Sequence, residues 1–282
     1  MNFSNRFIQE KKKNKKWAML TAYDALTAEL LESCGIDLIL VGDSVGMVLL
    51  GYPSTSQVTM DEMIHHAKAV RRGARRSLVI GDLPLKGIEK GPRQALVSAR
   101  RFIEEAGCDG VKLEWNPRAF EMTDVLVRHQ IPVMGHAGLT PQTVRQNRFR
   151  VQGTRARKAV DIFHTAGAWE RHGIFMLLLE CVPAPVAKAI TETLAVPTIG
   201  IGAGPFCDGQ VLVFHDMMGL FKKIRPRFVR RYARLDSAMR RAVRRYIEEV
   251  HTRRFPQKKH GFGMKKEEIV KFMHAVESGE DE

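Results

Sequence analysis

The segment LILVGDSVG, residues 38–46, is apolar apart from Asp43 and Ser44, which follow Gly42 near its end. Its opening run lacks the alternation of a strand with one solvated face, and continuous apolarity is typical of a parallel strand covered on both faces. A buried carboxylate is costly unless a cation or hydrogen-bond donors compensate it. The segment therefore predicts a parallel strand that runs through a core and ends at a site, with Asp43 at the mouth.

Seven more apolar runs resemble this one, and each ends in a polar or glycine-rich loop. The strand candidates are residues 18–24, 36–43, 77–82, 110–115, 131–139, 174–183, 196–204 and 210–216, and helical patterns cover residues 25–34, 59–75, 93–106, 118–129, 155–172 and 184–194. Strands that alternate with helices predict an α/β fold, a (β/α)8 TIM barrel. The helix between the last two strands is expected to be short or absent, and a doubly wound open sheet remains the alternative.

Polar residues collect where these predicted strands end. They are Asp24, Asp43, Ser44, Asp82, Lys112, Glu114, His136, Glu180, His215 and Asp216. In a barrel those ends form one rim, which is where active sites lie. Three converging carboxylates would repel one another, and Mg²⁺, which prefers oxygen ligands, resolves that repulsion. Lys112 and Glu114 share one face of their strand, so an ammonium group can hold an anionic substrate beside the carboxylates.

Single residues of this set also have structural interpretations. An aspartate at a strand end is often a helix N-cap, which applies to Asp24 and Asp82. His215 and Asp216 are interpreted as helix caps or as residues with structural hydrogen bonds. A catalytic role for the pair is the alternative. Glu180 follows an apolar run where burial would raise its pKa toward that of a general base, and a structural pair with an arginine is its alternative.

Composition limits the remaining classes of protein. The chain has 282 residues and a formal net charge of +14, and no apolar run approaches the roughly 18 residues that a membrane helix needs. Four cysteines without a C-x-x-C pair favour reduced thiols and a cytoplasmic location. The basic residues 1–17 are interpreted as a solvated tail before a catalytic barrel at 18–263, and residues 264–282 as a polar tail that frays.

A second basic segment lies near the end of the chain. Residues 222–259 carry fifteen Lys or Arg against three acids, and apolar residues recur there at three- and four-residue spacing. This pattern predicts an amphipathic helix with a basic, solvated outer face. Binding of nucleic acid through that face is the alternative, although no zinc finger, RRM or helix-turn-helix signature supports it.

Ten segments, taken together and in order, resemble one family, the 3-methyl-2-oxobutanoate (ketopantoate) hydroxymethyltransferases. They are MLTAYD (19–24), VGDSVGMVLLGY (41–52), VTMDEMIHHAKAV (58–70), GDLP (81–84), VKLE (111–114), GHAGLTPQ (135–142), VQG (151–153), LECVPA (179–184), PTIGIGAGPFCDGQVLVFHDMMGL (197–220) and FVRRYA (228–233). The resemblance implies a barrel of the phosphoenolpyruvate/pyruvate superfamily. It also implies transfer of a one-carbon unit from 5,10-methylenetetrahydrofolate to 3-methyl-2-oxobutanoate, which gives 2-dehydropantoate in pantothenate and coenzyme A biosynthesis.

The resemblance also implies roles for the residues at the rim. The family's Mg²⁺ ligands fall on Asp43, Asp82 and Glu114, and its oxo-acid contacts fall on Asp43, Ser44, Asp82 and Lys112. The proton acceptor, which forms a Mg²⁺-stabilised enolate, falls on Glu180, and His136 matches a histidine near the substrate. A homo-oligomer is implied, with a decamer as one form.

Three loops depart from the family pattern. They are residues 85–94, which replace a phenylalanine and a short Gly-Ser/Ala-Tyr loop, residues 115–118, which replace a Gly-Gly, and residues 143–150, which lack a glycine pair. The proposed metal and base positions are intact, so the departures bear on the folate side of the site. A carbon–carbon lyase of the same superfamily remains an alternative enzyme, but the Lys-Lys-Cys-Gly-His loop of such lyases does not occur in this sequence.

Overall fold

The computed structural model describes residues 3–143, 150–221 and 226–279. Its centre is a closed barrel of parallel strands in the order β1 to β8. The strands are β1 (Trp17–Thr21), β2 (Leu38–Val41), β3 (Leu78–Asp82), β4 (Gly110–Glu114), β5 (Val133–Gly138), β6 (Met176–Glu180), β7 (Thr198–Ile201) and β8 (Gly209–Leu212). Because β1 pairs with both β2 and β8, the barrel prediction is confirmed and the open sheet is excluded.

The helices include all six segments that the sequence pattern predicted between the strands, together with others that it did not predict. They are α1 (Phe3–Lys12), α2 (Ala25–Ser33), α3 (Val45–Val48), α4 (Met60–Gly73), α5 (Leu85–Ile88), α6 (Pro92–Arg100), α7 (Ala119–Arg128), α8 (Ala156–Arg171), α9 (Ala184–Thr193), α10 (Phe214–Met217), α11 (Leu235–His251) and α12 (Lys266–Ser278). A π-helical turn, Arg101–Glu105, extends α6. The chain between β7 and β8 contains no helix, and all of it belongs to the described residues.

Two apolar clusters hold the barrel together. The larger one lies between the strands and the outer helices, and the smaller one fills the barrel interior with side chains such as Leu38, Ile80 and Met176. Phe7 of α1 belongs to the interior cluster and is 1% exposed. It packs against Trp17 and Phe175, which precede or begin strands, so α1 closes the N-terminal end of the barrel. The interpretation of residues 1–17 as a solvated tail is therefore wrong over α1.

The chain divides into two compact units, Met1–Ala233 and Arg234–Glu282. The second unit contains α11 and α12, and none of the side chains of these two helices is buried. The amphipathic pattern is confirmed in α11, but the helix begins at Leu235 rather than near residue 222. Residues 222–225 lie outside the described part. The expectation of a frayed tail is wrong for Lys266–Ser278, which is helical. No helix of the described residues is long and apolar enough to cross a membrane.

Candidate active site

A buried ion pair joins neighbouring strands at the C-terminal mouth of the barrel. Asp82 ends β3 and stands opposite Lys112 of β4 in the strand register. The Lys112 Nζ donates to Asp82 Oδ1 at 2.7 Å, and both side chains are almost fully buried. The backbone N–H of Asp43 donates to the second oxygen of Asp82 at 3.2 Å. The rim prediction for these three residues agrees with the structure, since three separate strands bring them together.

Two carboxylates with an imidazole between them extend from β4 to β6. Glu114 stands opposite His136 in the register of β4 and β5, and Glu180 ends β6 opposite Gly138. The Glu114 Oε2 lies 3.7 Å from His136 Nδ1, and the Glu180 Oε2 lies 3.3 Å from His136 Nε2. Neither imidazole nitrogen has a hydrogen-bond partner within the described residues. His136 thus lies between the two glutamates.

Gln142 is a site residue that the sequence analysis did not identify. Its side-chain amide donates to Asp43 Oδ2 and to the carbonyl oxygen of Leu83, each at 3.0 Å. Its backbone N–H donates to Glu114 Oε1, also at 3.0 Å. Gln142 comes from the loop after β5, so no strand periodicity marks it, although it ends the quoted segment GHAGLTPQ. The neighbouring residues 144–149 of the divergent loop 143–150 lie outside the described residues.

The electrostatics of the mouth follow from burial and from an excess of acids. Burial and the nearby Asp82 carboxylate raise the pKa of Asp43 to about 7. Burial raises the pKa of Glu180 to about 8 and that of Glu114 well above its ordinary value. Burial alone lowers the pKa of Lys112, but the surrounding carboxylates outweigh burial and raise that pKa. Lys112 is therefore an ammonium, and it is faced by more carboxylates than it can neutralise.

The pKa of His136 shifts in the opposite direction to those of the neighbouring glutamate carboxyl groups. Burial and the charge of Lys112 lower the pKa of His136 well below its ordinary value. A neutral imidazole has one donor and one acceptor nitrogen, so it can donate one hydrogen bond and accept another. His136 is therefore a neutral neighbour of Glu180 at neutral pH rather than a second positive charge for the substrate.

One cavity of about 150 Å³ joins these groups. All seven residues that the sequence assigned to the site line it: Asp43, Ser44, Asp82, Lys112, Glu114, His136 and Glu180. The hydroxyl of Ser44 lies 2.8 Å from that of Tyr23, which orients it. The cavity also has an apolar wall of Val211, Val213, Phe221 and Phe228, which the sequence analysis did not foresee. The predicted rim is therefore one half of a larger site.

Of the strand-end residues for which the sequence suggests a helix N-cap, only Asp24 is one in the structure. Asp24 is the N-cap of α2, and its carboxylate accepts bonds at 2.8 Å from the N–H and the hydroxyl of Thr27, as expected. Asp82 is bound to Lys112, so its interpretation as a cap is wrong. The cap interpretation is also wrong for His215 and Asp216, because Val213 occupies the N-cap position of α10.

The oxygen atoms at the mouth suit a hard divalent cation. The Asp43 and Asp82 carboxylates lie together with Glu114 near a single ammonium group, which leaves negative charge uncompensated. Within the described ranges, no group of three or more His, Cys, Asp or Glu side chains is placed so that it could hold a metal ion by itself. In proteins Mg²⁺ typically takes one or two carboxylates and completes its shell with waters and substrate oxygens.

Solved structures with the same fold define the class. The phosphonopyruvate hydrolase complex with oxalate and Mg²⁺ matches with a TM-score of 0.60 and 13% identity, over 99% of each chain. A 2,3-dimethylmalate lyase, a member of the PEP mutase/isocitrate lyase superfamily, matches with a TM-score of 0.59 and 14% identity, over 95% of this chain and 91% of that one. The protein is thus a (β/α)8 barrel with the fold of that superfamily and a charged cavity at the barrel mouth.

Closer similarity identifies the family. The ketopantoate hydroxymethyltransferase family model matches residues 3–258. The 3-methyl-2-oxobutanoate hydroxymethyltransferase of Oleidesulfovibrio alaskensis is 49% identical over 97% of this chain and 95% of its own. That of Syntrophomonas wolfei is 47% identical over 92% of this chain and 95% of its own. The chain belongs to the ketopantoate hydroxymethyltransferase family, and the prediction of a hydroxymethyltransferase of pantothenate biosynthesis is confirmed.

Proposed function

We propose that this enzyme transfers a hydroxymethyl unit from 5,10-methylenetetrahydrofolate to 3-methyl-2-oxobutanoate and releases 2-dehydropantoate. The observation that carries the proposal is the meeting of Lys112, the Asp43–Asp82 pair and Glu180 in one cavity of a chain from this family. These groups supply what the reaction needs, namely a cation for an oxo acid and a base for its C3 proton.

Lys112 and Ser44 bind the oxo acid. The Lys112 ammonium is buried and fixed by Asp82, so it offers an oriented positive charge in surroundings where water screens little. The Ser44 hydroxyl, held by Tyr23, lies in the same cavity and can donate to a substrate oxygen. His136 lines the cavity as a neutral polar contact, and together these residues fix which carbon of the substrate faces the base.

Asp43, Asp82 and Glu114 would hold Mg²⁺ beside this subsite. Bound Mg²⁺ would supply positive charge opposite the carboxylate and 2-oxo oxygens and so acidify the neighbouring C3–H. The amide of Gln142 donates to Asp43 and its N–H to Glu114, so this loop residue orients both acids. The structurally similar phosphonopyruvate hydrolase has been solved in complex with oxalate and Mg²⁺, which supports Mg²⁺ as the metal of this proposal.

Glu180 removes the C3 proton. It ends β6, away from the strands that carry the proposed Mg²⁺ ligands, and its side chain is 15% exposed to the cavity. Burial raises the pKa of Glu180 to about 8, which makes the carboxylate a stronger base than an ordinary glutamate. One water adds to the methylene carbon of the folate, and both C–N bonds break as the two folate nitrogens take the protons of that water, which leaves tetrahydrofolate and a one-carbon unit at the level of formaldehyde. The carbon that has lost its proton forms the new C–C bond to this unit, and the resulting alkoxide takes back the proton that Glu180 holds.

The decisive experiment mixes the purified enzyme with Mg²⁺, 5,10-methylenetetrahydrofolate and 3-methyl-2-oxobutanoate, and detects 2-dehydropantoate by mass spectrometry. We expect product only when all three are present. A folded, Mg²⁺-loaded enzyme that gives no product would contradict the proposal. Cleavage of 2-hydroxy or 2-oxo diacids in the same preparation would favour the lyase alternative.

The proposals on assembly and location rest on the family and on composition. A homo-oligomer, a cytoplasmic location and small-molecule partners rather than nucleic acid agree with membership of this family. Because α11 carries many basic side chains, binding of nucleic acid should be measured once. Filter binding of duplex DNA at physiological salt should show no retention, and salt-dependent retention would establish a second activity.

A further inference from the structure

The cavity has two sides of different chemistry. The charged side comes from the ends of β2 to β6, where Asp43, Lys112 and Glu180 lie. The other side is the apolar wall of Val211, Val213, Phe221 and Phe228, which belongs to β8 and the segments after it. In a closed barrel of this order β8 is four strands from β4, so the wall lies across the mouth from Lys112. A small oxo acid bound by Lys112 leaves that wall for another ligand.

The wall contains one carboxylate that nothing in the site yet explains. Asp216, in α10 just after β8, lines the cavity. Its Oδ1 is buried and has no hydrogen-bond partner within the described residues. The positive charge that acts on Asp216 is that of Arg231. The Nε of Arg231 is also buried and has no hydrogen-bond partner within the described residues, so this nitrogen does not donate to Asp216. A buried acceptor without a donor is costly, so Oδ1 of Asp216 is open to a donor that a ligand supplies.

Aromatic packing prepares the same wall for a flat ligand. The Phe228 ring packs on Gly202, where a Cβ would lie only 2.7 Å from the ring atom Cδ1. Gly202 also has a left-handed backbone, with φ of +64°, which suits glycine. The turn at residues 200–204, expected from the sequence to be a strand-end turn, therefore also fixes the position of Phe228 in the cavity. A planar ring can lie against Phe221 or Phe228 while its edge meets Asp216.

The charge of Asp216 limits what that ligand can be. A carboxylate repels the carboxylate of an oxo acid but accepts two parallel N–H bonds from one edge of a ring, in the bidentate manner that gives strong recognition. The tetrahydropterin ring of a reduced folate has such an edge, formed by N3–H and the 2-amino group. Glu180 on β6 is two strands from β4 and two from β8, so the base lies between the two sides.

We propose that Asp216 binds the pterin edge of the one-carbon donor through its N3–H and 2-amino groups, with the ring against Phe221 and Phe228. This inference rests on the proposed function and assigns the second substrate to the β8 side of the mouth. Asp216 acts as a specificity residue for the folate and takes no part in removing the C3 proton.

The test compares tetrahydrofolate with its 2-desamino analogue, which lacks one of the two donors. Calorimetry should show that the native enzyme, with Mg²⁺ and oxo acid present, binds the analogue about tenfold or more weakly. The Asp216→Asn variant should bind tetrahydrofolate about tenfold or more weakly and should no longer distinguish the two compounds. The exposed Asp161→Asn variant on α8 is the matched control and should behave like the native enzyme.

Equal affinity of the native enzyme for the two compounds would overturn the inference, and this arm needs no variant. Retained discrimination in a folded Asp216→Asn variant would overturn it as well. In kinetics, KM for the folate should rise while KM for the oxo acid stays within about twofold, because the oxo acid binds on the other side. Failure of the proposed function is distinct, since tetrahydrofolate would then bind through Asp216 without formation of 2-dehydropantoate.

Discussion

At the scale of single residues, the mouth is a set of acids whose charges only partly cancel. Asp43, which interrupts an apolar run, accepts a hydrogen bond from Gln142 and lies beside the Asp82–Lys112 pair. Burial and the Asp82 carboxylate raise the pKa of Asp43, although Lys112 and the hydrogen bond from Gln142 act in the opposite direction. The remaining compensation is what a bound cation would provide, and for this reason Asp43 is proposed as a Mg²⁺ ligand rather than as a cap.

Replacing the proposed base separates proton removal from binding. The Glu180→Gln variant keeps the shape of the side chain but cannot accept a proton, so exchange of the C3 proton with deuterated solvent should fall by at least about 10²-fold. Binding of the oxo acid with Mg²⁺, measured by calorimetry, should change less than about threefold. The Glu192→Gln variant on the exposed face of α9 is the control and should exchange normally. Undiminished exchange in Glu180→Gln would show that another group is the base.

The same residue predicts how stability depends on pH. Burial raises the pKa of Glu180 to about 8 in the folded state from its ordinary 4.5, so the folded state holds this proton more tightly than the unfolded state. Its contribution to the free energy of unfolding is therefore complete below about pH 4.5 and is lost as the pH rises through about 8. The same direction holds for Asp43.

Denaturant unfolding of the metal-free protein checks this dependence. The free energy of unfolding of the native enzyme minus that of Glu180→Gln should decrease from pH 5 to pH 8, because the glutamine has no charge to bury. The difference is expected to be a few kcal/mol, since one pKa unit corresponds to about 1.4 kcal/mol. A difference that is constant or increases over this range would show that Glu180 ionises in the folded protein like an exposed glutamate.

At the scale of elements, close helix contacts around the barrel depend on particular glycines. Gly73 ends α4 where that helix meets the start of α2, and a Cβ there would lie 2.1 Å from the carbonyl oxygen of Ala25. Gly167 lies inside α8, where a Cβ would meet only the end of the Arg171 side chain at 3.4 Å. Both glycines lie in helices, but only at Gly73 would an added Cβ clash with backbone atoms.

This contrast gives a matched pair of substitutions. Gly73→Ala should lower the free energy of unfolding by about 1–3 kcal/mol, because α2 and α4 would have to separate. Gly167→Ala should raise it by about 0.5–1 kcal/mol, because alanine loses less backbone freedom on folding than glycine. Chemical denaturation of both variants measures the effects. Similar values for the two would show that α2 and α4 adjust without cost.

At the scale of the whole molecule, α1 joins distant parts of the barrel at the end opposite to the site. The Lys11 ammonium donates to the carbonyl oxygens of Thr191, Leu194 and Val196 at 2.7 to 3.0 Å and pairs with Asp208 at 3.1 Å. Phe7 adds an aromatic side chain to the barrel interior. The first residues of the chain therefore stabilise a barrel whose last strands are made some two hundred residues later.

Removal of the Phe7 ring tests this role. Phe7→Ala should lower the free energy of unfolding by about 3–5 kcal/mol, since it leaves a cavity in the barrel interior. At a temperature where the variant is folded, KM for the oxo acid should be unchanged, because the site lies at the other mouth. Phe262→Ala, which changes a fully exposed phenylalanine, should shift stability by no more than about 0.5 kcal/mol. Equal effects would mean that α1 does not close the barrel.

The sequence alone determined the strands, their alternation with helices and the residues at the strand ends. These features are local, because a parallel strand buried on both faces has its own continuous apolar pattern and parallel strands present their ends at one rim. Asp43, Asp82, Lys112, Glu114, His136 and Glu180 could therefore be assigned to one cavity from their positions in eight short runs. The family resemblance then gave each of them a proposed role.

Only the tertiary structure decided which groups touch and which unrelated segments complete the site. Gln142 reaches Asp43 across 99 residues of sequence, and Phe228 joins the cavity from a segment after β8. Phe7 becomes a core residue although it belongs to a basic, polar helix. Such contacts depend on barrel closure and strand register, which bring remote loops together, and no local periodicity records that geometry.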